Sequence, residues 1–124
     1  MFRIYFLVLS LIIAMLSGCA TYSVQEVKQS PGYHKKISVN KNYQRSLLIV
    51  KNEFSAILGM DLSCMNNYDL KEGECSATAG MGTLLYITAK HIDDNVSEVE
   101  FYTAWDTNSW RKHIDVVCIQ LESK

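Results

Sequence analysis

A chain of 124 residues with 12 Lys and Arg against 13 Asp and Glu carries a formal net charge of −1. No Lys/Arg run exceeds two residues, which argues against holding nucleic acid or anionic lipid chiefly by charge. The length supplies one hydrophobic core and is too short for two domains of ordinary size.

First in chain order comes a short apolar leader. Arg3 gives the N-terminus one positive charge, and the thirteen residues from Ile4 to Leu16 are interrupted only by Tyr5 and Ser10. This run matches a signal-peptide core of about 7–15 apolar residues and falls short of the ~20 that a permanent membrane span needs. It ends in Leu16-Ser17-Gly18-Cys19. Small residues before a cysteine leave the backbone open to a peptidase and the thiol open to a lipid donor.

This segment resembles the lipobox of bacterial lipoproteins, in which an aliphatic residue and two small residues precede an obligatory cysteine. The resemblance implies that the chain is cut before Cys19, that its thiol carries diacylglycerol, and that the new amino group takes a further acyl chain such as palmitate. Two or three chains, at ~0.8 kcal/mol per buried methylene, make a stable anchor. In enterobacterial lipoproteins the residue after the cysteine steers sorting, and Ala20 in place of aspartate implies the outer membrane, with the protein facing the periplasm. The resemblance covers the leader and Cys19 alone; it gives an address, not an activity.

The chain then divides into a signal peptide (residues 1–18), an acylated N-terminus and flexible tether (19–34), and one α+β domain (35–124). The tether has no sustained apolar period and holds the only proline, in Pro31-Gly32. Fully extended it reaches roughly 50 Å. Without residues 1–18 the balance becomes eleven basic against thirteen acidic residues, so the acyl chains must hold the membrane alone.

Within the domain, Lys36-Ile37-Ser38-Val39 alternates as a first strand, and Asn40 or Asn42 is placed to cap a helix. Tyr43, Leu47, Val50, Phe54, Ile57 and Leu58 form an amphipathic stripe, and Gly59 stands where a left-handed residue ends such a helix. Leu62 and Cys64 predict a short strand. Ala77 to Lys90 reads as one long strand with Gly80 and Gly82 as bulges. Val96 to Trp105 alternates Val99, Phe101, Thr103 and Trp105 against Glu98, Glu100 and Tyr102, predicting a hairpin partner. Trp110, Ile114, Val117 and Leu121 have helical spacing, while Val116-Val117-Cys118-Ile119 favours strand and Arg111-Lys112 sit badly at a helix N-terminus; helix is the preferred assignment. The expected architecture is a small antiparallel sheet with helices on one face, in the order β-α-β-β-β-α.

Beyond Cys19 the cysteines are Cys64, Cys75 and Cys118, so at most one intramolecular disulfide forms. Cys64–Cys75, closing a short turn-rich loop, is the preferred pair; Cys118 with either, or no bond, are the alternatives.

Few motifs carry chemistry. His91-Ile92-Asp93-Asp94 has metal-binding groups but no second histidine at ligand spacing, and polar loops use Asp for turns. His113 and Cys118, five residues apart on a helix, point about 140° from each other. Gly80-Met81-Gly82-Thr83 lacks the continuation of a phosphate loop. Tyr102, Trp105 and Trp110 are the candidate partner surface, since aromatics are favoured at binding hot spots; packing beneath the helix is the competing role for the tryptophans.

The expected function is therefore a non-enzymatic, lipid-anchored binding or assembly module of the envelope, with an envelope protein as partner and no cofactor, metal or nucleic acid. The alternatives are a periplasmic inhibitor or immunity protein against a hydrolase or toxin, and a small hydrolase using His91 or His113 with nearby carboxylates.

Overall fold

The computed structural model describes residues 3–8, 23–80 and 82–124. The segment Leu16-Ser17-Gly18-Cys19 and Ala20 lie outside the described residues. A short N-terminal helix, α1 (residues 3–8), exposes its side chains, and no helix among the described residues is long and apolar enough to cross a membrane.

From residue 23 the elements are α2 (Val24–Gln29), β1 (Tyr33–Val39), α3 (Tyr43–Leu58), β2 (Ser63–Asn67), β3 (Glu72–Ala79), β4 (Gly82–Asp93), β5 (Val96–Thr103) and α4 (Asn108–Ser123). The strands form one antiparallel sheet in the order β1-β5-β4-β3-β2. The class is α+β, as expected, with one strand more than expected.

The amphipathic stripe forms α3. Asn42 caps it, its side chain accepting from the Arg45 N–H at 2.8 Å. Gly59 ends it at φ 66°, a backbone conformation that costs glycine little. Val50 and Phe54 are fully buried on the inner face of the sheet, where they join Leu85, Ile87, Val99 and Phe101. The last segment is the helix α4. Ile114, Val117, Cys118 and Leu121 supply its buried face, while the β-branched Val116 and Ile119 point to solvent, so their strand propensity is overruled by packing on the other side. Arg111 is tolerated near the N-terminus because Asp106 accepts from two of its nitrogens at 2.7 and 2.8 Å, and its guanidinium lies 4.5 Å from the centre of the Tyr33 ring.

Three expectations change. The run from Ala77 to Lys90 is not one strand: the chain reverses between Ala79 and Gly82, which pair directly, and Gly82 adopts φ 98°. Most of the expected tether, residues 23–34, is folded: Ser23 caps α2, Val27 is buried, and β1 already starts at Tyr33. Helices also occupy both faces of the sheet, because Val27 of α2 packs against Tyr86 and Tyr102 on the outer face, away from α3 and α4.

The disulfide joins Cys64 to Cys75, directly paired residues of β2 and β3, and leaves Cys118 as a buried free thiol.

One polar contact crosses the core. Ser46 of α3 and Ser97 of β5 are fully buried, with hydroxyls 2.7 Å apart. Ser97→Ala leaves the Ser46 hydroxyl without this partner and is expected to cost about 1–3 kcal/mol, whereas removing both hydroxyls costs less than the sum of the single changes. Urea denaturation of the two single variants and the double variant checks this; strict additivity would contradict it.

Candidate functional site

Alternation along the strands sorts residues between the two faces. Register then arranges the outer face in rows. His34, Tyr102, Tyr86 and Ser76 form the first; Lys36, Glu100, Thr88, Glu74 and Met65 the second; Ser38, Glu98, Lys90, Glu72 and Asn67 the third. α2 seats Val27 on the first row. Between its last turn, at Lys28, and the β2–β3 hairpin the face opens into a groove of about 250 Å³, floored by Glu74, Tyr86, Thr88 and Lys90 and walled by Met65 and Glu72.

The electrostatics of this face are dense. The Tyr86 hydroxyl donates to Glu74, and burial, followed by that carboxylate, pushes the phenol well above its ordinary range. Tyr102 donates to Glu100 at 2.6 Å, and its phenol is pushed up to about 12, first by burial and then by the same bond. Glu100 also meets His34 Nε2 at 2.9 Å, and the His34 ring stacks on Tyr102 with centroids 4.6 Å apart. Lys36 lies 3.3 Å from Glu98. Lys28 stands 6.0 Å from the centre of the Tyr86 ring.

Glu100 has its pKa lowered: burial raises it, but the bonds from Tyr102 and His34 outweigh that effect. A depressed carboxylate contributes stability that is full above the unfolded value of roughly 4.3 and is lost as pH falls through the folded value. Carbon-detected NMR titration is therefore expected to place Glu100 below its unfolded-state value, and Tyr102→Phe is expected to move it upward. A parent value at or above the unfolded one would contradict the assignment.

The residues singled out from sequence are scattered. Tyr102 lies on the outer face with Tyr86 and Val27, whereas Trp110 packs against the inner core, so sheet and helix keep them apart. Trp105 has left β5 for the following loop, is 37% exposed, and accepts from the Thr103 hydroxyl through its carbonyl at 2.7 Å. The three do not share one surface. His91 and Asp94 border a shallow depression of about 320 Å³ with Tyr43, Tyr68 and Lys71, while Asp93 accepts from the Asn95 N–H at 2.8 Å in a turn role. Among the described residues no three His, Cys, Asp or Glu side chains converge as a metal site requires. The Cys118 thiol packs into the core, and burial raises its pKa.

Sequence reasoning missed Lys28, Glu72, Glu74, Tyr86, Thr88 and Lys90. They come together only through cross-strand register and the placement of α2, neither of which leaves a local pattern. No protein-family profile matches the chain, and no curated protein is significantly similar to it.

Proposed function

We propose that the protein is a lipid-anchored lipoprotein of the bacterial envelope, sorted to the outer membrane through Cys19 and Ala20, whose α+β domain is a periplasm-facing binding module. The observation that supports binding is the half-covered outer face: α2 closes its aromatic row and leaves a groove carrying both signs of charge beside it. Concave sites with a few convergent polar groups are where ligands and partners seat. A photo-crosslinker placed at residue 65, beside the groove, is expected to join a defined envelope component in cells. The same group at residue 119, exposed on α4, is expected to give none. Identical patterns from both positions, or none from residue 65, would contradict the reading.

A second reading, an inhibitor or immunity protein, is favoured by a different feature. Tyr68 and Leu70 on the β2–β3 turn and Ile92 near the β4–β5 turn are 71%, 66% and 56% exposed. These turns lie close together, since the His91 N–H donates to the Lys71 carbonyl at 2.9 Å. An apolar tip of this kind suits insertion into a partner's cleft. Its test is sensitivity of a deletion strain to lysozyme-like or neighbour-delivered toxins; equal survival of deleted and parent cells counts against it.

A further inference from the structure

Thr88 lines the groove, is only 7% exposed, and its hydroxyl has no hydrogen-bond partner among the described residues. A buried, unpaired hydroxyl is costly, and its position in a groove marks it as a group whose partner arrives with a ligand. The charges beside it are also unmatched. Lys90 and Glu72 face each other across β4 and β3, at a separation that normally brings such side chains into contact. Neither belongs to any of the ion pairs among the described residues.

Resting on the binding-module reading, we propose that this groove takes the zwitterionic head of an α-amino acid. The ligand carboxylate lies between the ammonium groups of Lys28 and Lys90 and accepts from the Thr88 hydroxyl, while its ammonium group meets Glu72 and Glu74. Charge-assisted hydrogen bonds of this kind are the strong ones. A ligand carrying only one sign of charge would leave two of these four groups desolvated and opposed by a like charge. The volume of about 250 Å³ lies just below the roughly 300–1,000 Å³ usual for drug-sized ligands, as a small head group requires. Two sources present this head: a free amino acid, and an amino acid displayed through its side chain on a larger molecule.

Isothermal titration calorimetry on the full chain in neutral detergent, with glycine, Nε-acetyllysine, succinate and 1,4-diaminobutane at constant ionic strength, tests the assignment. Saturable binding of a zwitterion and none of succinate or diaminobutane is expected. Binding of glycine alone assigns the free amino acid; binding of Nε-acetyllysine assigns the displayed one. Lys90→Gln is expected to weaken that binding about 10–100-fold and Thr88→Val about 2–10-fold. Thr88→Val should melt at or above the parent temperature, which separates lost contact from lost fold. Failure of both zwitterions to bind, equal binding of all four probes, or unchanged affinity in both variants overturns the proposal. The crosslinking result from residue 65 is independent of these outcomes, so failure of the ligand assignment is distinguishable from failure of the binding-module reading.

Discussion

Phe54→Ala is expected to remove about 3–5 kcal/mol of stability, the usual cost of truncating a buried aromatic. Phe54 is fully buried between α3 and the sheet, and its ring meets that of Phe101 with centroids 6.2 Å apart. The substitution takes away the transfer free energy of the ring and leaves a cavity that the rigid sheet beneath cannot close. It also removes an aromatic pair worth roughly 0.5–1.5 kcal/mol beyond its area. A domain of this size has only about 5–15 kcal/mol in hand, so the substitution removes a large share of its stability. Guanidinium denaturation is the measurement, and Phe54→Leu, which keeps most of the apolar volume, should fall between parent and alanine variant. A loss below about 1 kcal/mol for Phe54→Ala would mean that the core is not centred where α3 crosses the sheet.

Removing the disulfide is expected to be the next most damaging change. Cys64 and Cys75 are 11 residues apart in sequence, and closing a loop of that length restricts the unfolded chain by about 2–3 kcal/mol. Cys64→Ala with Cys75→Ala should therefore lower the melting temperature by roughly 10–20 °C for a domain of about 100 residues. The effect should be reproduced by reduction of the parent and be absent when the double variant is treated with the same reductant. The bond ties β2, an edge strand, to β3, and these two strands form one wall of the groove. Its loss is accordingly expected to loosen the groove before the core.

The parts of the fold that were legible in sequence are those where one element writes its own signal. The α3 stripe from Tyr43 to Leu58 with Asn42 before it and Gly59 after it carries its period and both caps locally. The parts that were not legible depend on neighbours. β3 was missed because its inward positions are Gly73, Cys75 and Ala77, small residues that read as loop. A neighbour across the core contributes: a Cβ on Gly73 would come within 2.5 Å of Leu47 Cδ2, so the Leu47 side chain of α3 would have to shift to admit anything larger. α2 was missed because six residues with two valines make no period, and its stability comes from Tyr86 and Tyr102, about 60 and 75 residues further along the chain. The same holds for the candidate site. Glu74, Thr88 and Lys90 look like ordinary solvated strand positions until the register sets them side by side under Lys28.

The chain's most specific local signal, the segment ending in Cys19, carries the proposal of where the protein resides, and the groove matters to an envelope partner only if the domain is held there. The direct test is metabolic labelling with radioactive palmitate, followed by fractionation of cells that express the parent or the Cys19→Ser precursor. Labelled parent protein in the outer-membrane fraction, with an unlabelled variant absent from it, is the result this account predicts. Recovery of acylated, membrane-bound protein from Cys19→Ser would contradict it.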